Sequence, residues 1–426
     1  MNFQIAFNNL LLVNRLDLES VNTTIKSLVR KLNNVYYGIN NDNANYFLAG
    51  SIGRKTSVCF SDIDFCYVLP PDVYERFSNR RGNNIQSQLL NEIKQKVEER
   101  YPNSEIKADG QVVDAKFKNR LVELVPSFRR PNYVDGSLIY PDTHNDGSWL
   151  TTNPKKQEEE MDSFYRNYPL CRDLCKILRC WKNECNVKIK GIEIDILVMD
   201  FLKRHPEFYG KGLQEIDVIK TLCELLKYVN DFPTMDMSIP GEFNVIHIDS
   251  SRFKKKVQKA FVRLSEPDQS DLWDNCIKLF GNGFPSNPSN SNYTNNEQFI
   301  QQLFPLRLIG HVKIDCDIVC NGFRNGSLLN LLQNENVGTS RYIIEHSRKL
   351  IFKIIECDVP KPYDIYWKVR NVGKEAAIRN SVRGNIFRGE ETRVEESLFH
   401  GPHYTECFII KDGICVAKDK IEVPIK

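Results

Sequence analysis

Several things are scarce in this 426-residue chain. No stretch approaches the roughly 20 consecutive apolar residues that a membrane-spanning helix needs. The N-terminus, MNFQIAFNNLLLVNRLD, is too short in its apolar part and too polar at its flanks to read as a secretory signal. Charge of one sign is not in surplus: 58 basic against 55 acidic side chains give a formal net charge of +3. Large polyanion binders usually carry a stronger basic excess, so a nucleic-acid partner is neither demanded nor excluded. A cysteine framework is missing too: the 13 cysteines are odd in number and scattered, which suits reduced thiols better than disulfides. These absences predict a cytoplasmic protein with no membrane partner, in which substrate charge is met by local groups. No internal repeat is present.

What is there is ordinary globular material, 41% apolar and 27% charged, in a length that predicts two or three domains. Residues 14–36 carry Leu16, Val21, Ile25, Leu28, Val29 and Leu32 at helical spacing. ANYFLAG then reads as a short buried strand ending in a glycine turn, and SDIDFCYVL as a second strand halted by Pro70 and Pro71. Residues 83–100 place Ile85, Leu89, Ile93 and Val97 four apart, an amphipathic helix. GQVVDAKF and RLVELVPSF form an expected hairpin. From 155 to about 280 the pattern is helical; residues 281–298, rich in Asn, Ser, Pro and Gly, read as a linker. After a bridging segment, residues 362–426 are β-rich, with the short strands of a small sandwich.

The chemistry concentrates in GSIGRKTSVCFSDIDF, residues 50–65. Asp62 and Asp64 sit two apart on the expected strand, so both carboxylates project from one face. Adjacent carboxylates repel unless a cation lies between them, and a hard ion such as Mg2+ suits oxygen donors. Gly50 lets a ligand approach the backbone, Ser51 offers a hydroxyl and an amide, and a helix starting over 51–57 would add N-terminal amides. A P-loop is excluded, because Arg54 rather than glycine precedes Lys55-Thr56. A two-metal site needs a third carboxylate. Glu123, within the apolar run LVELV, is costly there unless paired; Asp114 in QVVDAKF competes for the role, and Glu123 is favoured. Other features read as structural: Cys171, Cys175 and Cys185 on one helix face with Cys180 opposite (core), His247 and Asp249 (a hydrogen bond rather than a metal pair), and RFKKKVQK at 252–259 (a solvated face). Trp367, Arg383, His403 and Glu406 stand as candidates either for a pocket or for the sandwich core and its polar edge.

The run GSIGRKTSVCFSDIDFCYVLP, with LVP at 124–126, GSWLTTNPKKQ at 147–157 and KILRCWK at 176–182, resembles the active-site signature of nucleotidyltransferases related to cyclic GMP-AMP synthase and oligoadenylate synthetase. It is most similar to their bacterial relatives, the CD-NTases of the SMODS family, over roughly residues 14–280. YDIYWKVRNVGKEAAIRNSVRGNI and HGPHYTECFIIKDGICVA resemble the AGS-C sensor domain that follows such enzymes. The resemblance implies an α+β fold: a polymerase-β-like nucleotidyltransferase core (1–150), a helical oligoadenylate-synthetase-like lobe completing the cleft (151–285), a linker (286–300) and a small C-terminal β-sandwich sensor domain (301–426). It implies that Asp62, Asp64 and Glu123 bind two Mg2+ ions, with Mn2+ as an alternative. It also assigns the donor nucleotide to Gly50, Ser51, Arg54, Thr56, Ser61, Lys176, Arg179 and Lys182. Relatives usually have Asp where Glu123 stands, lysine at the position of Arg179 and often serine at that of Gly191. The implied activity is condensation of nucleoside triphosphates, ATP and/or GTP favoured, into a cyclic di- or trinucleotide that alerts a downstream effector protein during phage infection, with no nucleic acid required. Nucleotide transfer to RNA or protein, or nucleotide sensing with weak turnover, are the alternatives.

Overall fold

The computed structural model describes residues 3–80, 84–117, 120–130, 136–242, 244–285, 297–319, 326–333, 344–379 and 381–426. They fall into two compact units, one of residues 2–7 and 14–281 and one of 8–13 and 282–426. Helix α1 (Phe3–Val13) contributes to both.

In the first unit, α2 (Leu18–Tyr37) begins where the Asp17 side chain accepts from the Ser20 amide and ends at Gly38, whose φ of 66° continues the chain in the left-handed region. Its buried face is the stripe Val21, Ile25, Leu28, Val29 and Leu32. The sheet runs β1 (Tyr46–Leu48), β2 (Ile63–Val68), β5 (Arg120–Arg129), β4 (Val112–Phe117), β3 (Glu105–Asp109), with β6 (Leu138–Asp142) joining β5 and β7 (Ser148–Thr152) joining β6. Among the described strands of this sheet, only β2 and β5 pair in parallel. Such a pair requires a crossover, which α4 (Pro71–Ser78) and α5 (Ile85–Arg100) help to supply. Leu89, Ile93 and Val97 of α5 meet Phe65, Tyr67, Val113 and Val122 in one apolar core, so the opposite face of the sheet is left for polar work.

The helical part comprises α6 (Pro154–Asn167), α7 (Leu170–Glu184), α8 (Gly191–Arg204), α9 (Val218–Asp231), α10 (Lys254–Leu264) and α11 (Gln269–Phe280), interrupted by a hairpin of β8 (Met235–Ser238) and β9 (Val245–Ile248). Asn153 caps α6 by accepting from the Lys156 amide. Cys171, Cys175 and Cys180 are buried in the core as expected; Cys185 lies one residue past the end of α7. His247 pairs with Asp236 across the hairpin and Asp249 caps a short turn at Ser251, while Lys254, Lys255 and Lys259 face solvent. No described helix is long and apolar enough to cross a membrane.

The second unit is a sandwich of two antiparallel four-stranded sheets. One is ordered β11 (Gly326–Ser327), β10 (Val312–Val319), β12 (Lys349–Cys357), β15 (Thr392–Glu396); the other β14 (Arg383–Gly389), β13 (Asp364–Arg370), β16 (Gly401–Lys411), β17 (Ile414–Ile425). Ile314, Phe352, Trp367, Cys407 and Val423 share the core between them. The sandwich therefore starts at β10, ahead of the β-rich stretch expected from 362. The signal was blurred because β10 and β12 alternate apolar residues with charged ones such as Asp315, Asp317 and Lys353. Of the expected linker, residues 286–296 lie outside the described residues, whereas Gln298 and Ile300 pack on the β14–β16 side of the second sheet.

Candidate active site

The site is built where β1 runs into β2. The Ala49 amide donates to the Asp64 carbonyl at 2.9 Å, and Gly50 follows with φ +55°. A Cβ at Gly50 would lie 1.7 Å from Asp64 Oδ2, so glycine is required both by the backbone and by the carboxylate pressed against it. The expected helix over 51–57 is one turn, α3 (Gly50–Gly53); Lys55, with φ 60°, ends it. Asp62 precedes β2 and Asp64 is its second residue.

Strand register then assembles the acids. Asp64 lies opposite Glu123 in the parallel pair, and Glu123 lies opposite Asp114 in the antiparallel pair, so three carboxylates form a row across β2, β5 and β4. Glu123, Asp62 and Asp64 line a cleft of about 680 Å³, and Asp114 is not among its lining residues. Burial raises the Asp62 carboxyl, with repulsion from Asp64 adding to it and Lys182 opposing. Burial also raises Asp114, helped by Asp109. Glu123 is raised furthest, by burial first and then by the hydrogen bond it shares with Asp64. Asp114 Oδ1 is buried without a hydrogen-bond partner. As placed, no three His, Cys, Asp or Glu side chains among the described residues converge on one ion. The donor set is nonetheless all oxygen, and its mutual repulsion is what a divalent charge relieves; these residues fit a hard cation.

Residues 1–164 match the Second Messenger Oligonucleotide or Dinucleotide Synthetase (SMODS) domain model, and residues 294–426 match the Adenylyl/Guanylyl and SMODS C-terminal sensor domain model. The chain therefore carries a SMODS synthetase domain and, after it, a C-terminal sensor domain. Among solved structures, CdnC of E. coli MS115-1 with ATP is 14% identical at a TM-score of 0.50, covering 66% of this chain and 99% of that one. Elizabethkingia meningoseptica CdnE, a cyclic dinucleotide synthase solved with GTP and Apcpp, is 14% identical at a TM-score of 0.45, covering 62% and 100%. Vibrio cholerae di-nucleotide cyclase (DncV), solved as a mutant, is 12% identical at 0.45, covering 66% and 87%. The CdnC likeness carries the fold. No curated protein sequence matches.

Around the acids the remaining candidates are distributed unevenly. Gly50, Ser51, Arg54, Ser61, Arg179, Lys182 and Gly191 line the cleft. Ser61 Oγ accepts from the Val58 amide at 3.0 Å, holding the approach to Asp62. Lys182 is lowered by burial and by the neighbouring Arg179, with Asp62 opposing. Thr56 is fully buried and does not line the cleft; its hydroxyl bonds Asp195 Oδ2 at 3.2 Å and receives Arg179 Nη2 at 3.0 Å. Lys176 does not line the cleft either. Three residues along a helix rotate by about 300°, so of Lys176, Arg179 and Lys182 the first turns away, toward Asp173, Arg172 and Arg15.

Two acids escaped sequence reasoning. Asp195, completely buried on α8, accepts from Arg54 Nε at 2.8 Å and Arg179 Nη2 at 2.9 Å; a lone acid inside the apolar run IEIDILVM was the available signal. Glu242, on the β8–β9 turn, accepts from the Thr152 hydroxyl, the Asn153 amide and Gln157, and it lines the cleft; nothing in the sequence marked it. In the sensor domain, Arg383 and His403 border a cavity of about 590 Å³, whereas Trp367 is core and Glu406 pairs with Lys368. His403 is spent structurally: Nδ1 accepts from the Val372 amide and Nε2 donates to the Phe399 carbonyl.

Proposed function

We propose that this chain is a CD-NTase, one that joins nucleoside triphosphates through phosphodiester bonds, releases pyrophosphate and closes the product into a cyclic di- or trinucleotide. The product would signal to a separate effector protein in the cytoplasm during anti-phage defence. The observation that carries the reading is the in-register row of acids facing the glycine-serine turn across one cleft. CdnC was solved with ATP and CdnE with GTP; the reading extends those triphosphates to this cleft.

Asp62, Asp64 and Glu123 would hold the metal, two Mg2+ ions or Mn2+ in their place. Bound there, it supplies charge neutralisation for the phosphates and a more acidic attacking hydroxyl. Gly50 leaves its backbone open to the phosphates, and Ser51 offers an amide and a hydroxyl. Lys182 and Arg179 present cationic donors from the helical side of the cleft. A ribose hydroxyl oxygen of the second nucleotide bonds to the α-phosphorus of the first; the bond from that phosphorus to the pyrophosphate oxygen breaks. The hydroxyl proton would pass to the Glu123 carboxylate acting as general base. Positioning and charge account for the chemistry, with no covalent enzyme intermediate. Repeating the step within the linear product closes the ring.

The test is incubation with labelled ATP, GTP, CTP and UTP plus Mg2+ or Mn2+, phosphatase treatment and separation of products. Phosphatase-resistant small products support the reading. Label on RNA or protein, or nucleotide binding with no product, overturns it.

A further inference from the structure

Arg54, Thr56, Arg179 and Asp195 form a buried knot beside the cleft, at 8%, 0%, 4% and 0% exposure. Its contacts are lopsided. Asp195 Oδ2 receives Arg54 Nε, Arg179 Nη2 and the Thr56 hydroxyl, while Asp195 Oδ1 has no partner. Arg179 Nη2 is shared between Asp195 and Thr56, while Arg179 Nη1 is buried with no partner at all. A bidentate fork between Arg179 and Asp195 would satisfy both orphaned atoms. The knot forgoes it and leaves a charged donor unspent in a residue that lines the cleft. Two guanidinium groups against one carboxylate also leave a buried positive charge, which is costly without an anion.

Gly191 belongs to the same arrangement. It opens α8 with no left-handed φ to demand glycine, yet a Cβ there would lie 3.1 Å from Arg179 Nη2 and 3.5 Å from Arg179 Cζ. The missing side chain is the room the guanidinium occupies.

We infer that Asp195 is a positioning residue for nucleotide binding: it holds Arg179 by Nη2, in space vacated at Gly191, so that Nη1 stays free for a phosphate oxygen. Arg179, Gly191 and Asp195 are then one coupled unit. Arg54 and Thr56 tie it to the glycine-serine turn, and Tyr165 braces Arg54 by donating to its carbonyl at 2.6 Å. The inference rests on the nucleotidyltransferase reading above.

The experiment measures equilibrium binding of a fluorescent non-hydrolysable ATP analogue, with kcat and KM for ATP, in the full chain. Asp195→Asn keeps the shape of the side chain and removes its charge. It weakens analogue binding about tenfold, the loss of roughly one charge-assisted hydrogen bond, while kcat at saturating ATP stays within about threefold. Gly191→Ala weakens binding in the same direction in the native background. Made together with Arg179→Lys, whose ammonium leaves the space empty, it costs less than about twofold more. Wild-type binding by Asp195→Asn overturns the inference, as does an equal Gly191→Ala penalty in both backgrounds. If Asp195→Asn does not fold, the Gly191 cycle alone decides. A wild-type chain that binds the analogue but makes no product removes the enzymatic reading and leaves this one standing; one that binds no analogue removes both.

Discussion

The two units treat buried charge in opposite ways. In the sensor domain, Lys368 is fully buried yet bonds Glu297 at 2.7 Å and Glu406 at 2.9 Å, and lies over the rings of Phe299 and Tyr404. Buried Asp315 likewise receives the Ser327 hydroxyl and the Leu329 and Cys316 amides. In the first unit, by contrast, burial and the neighbouring Asp64 raise the Asp62 and Glu123 carboxyls, and Asp114 Oδ1, Asp195 Oδ1 and Arg179 Nη1 are left without partners. A network that closes on itself stabilises a fold; one left open is poised for something that arrives later. The contrast locates where binding free energy is stored, and it can be broken by experiment.

The largest expected effect is on turnover. Asp62→Ala combined with Asp64→Ala lowers product formation by at least about a thousandfold, because charge neutralisation is most of the chemistry. The folded state keeps or gains stability, since repulsion is removed. Radiolabelled product and a thermal melt check both halves, and unchanged yield would sink the metal site. Next is Lys368→Met, which takes the cation from Glu406 and leaves Glu297 only Arg370 and the Tyr404 hydroxyl; it costs about 3 kcal/mol by chemical denaturation, and a loss under about 1 kcal/mol would erase the contrast between the units.

Smaller is a pH effect. Asp62, Asp114 and Glu123 have folded-state pKa values above their unfolded ones. Their protonated forms therefore favour the fold below the ordinary carboxylate range, and that contribution is lost as pH rises through the raised values. The metal-free protein should melt at progressively lower temperature between about pH 5 and 8, and millimolar Mg2+ should flatten the trend. A slope unaffected by Mg2+ would mean the acids do not share an ion. The smallest effect is for Lys176→Ala, which faces away from the cleft: KM for ATP stays within about twofold, whereas Arg179→Ala raises it.

Much of this was legible in the chain. Asp62 and Asp64 line one cleft, Asp64 from β2 and Asp62 from just ahead of it, and Gly50 announces itself by its place before a serine. Apolar spacing located α2 and α5. What could not be read is whatever depends on which distant strands become neighbours: Asp64 and Glu123 become adjacent only once β2 and β5 pair in parallel. The same holds for Arg54 and Asp195, brought together across 141 positions. The hairpin of β6 and β7 also escaped, because Pro141 and the polar Ser148, Thr151 and Thr152 dilute its strand pattern.

The parallel register of β2 and β5 has a consequence for how such chains can vary. Asp64 and Glu123 meet because two strands align row by row, while the connection between them wanders through helices and turns. Lineages can lengthen or trim that connection at its turns and keep both acids in place. A single residue gained or lost between Arg120 and Glu123 would turn the glutamate to the opposite face of the sheet. Length polymorphism should therefore collect between α4 and α5 and in the turn at 101–104, and be purged from four residues of one strand.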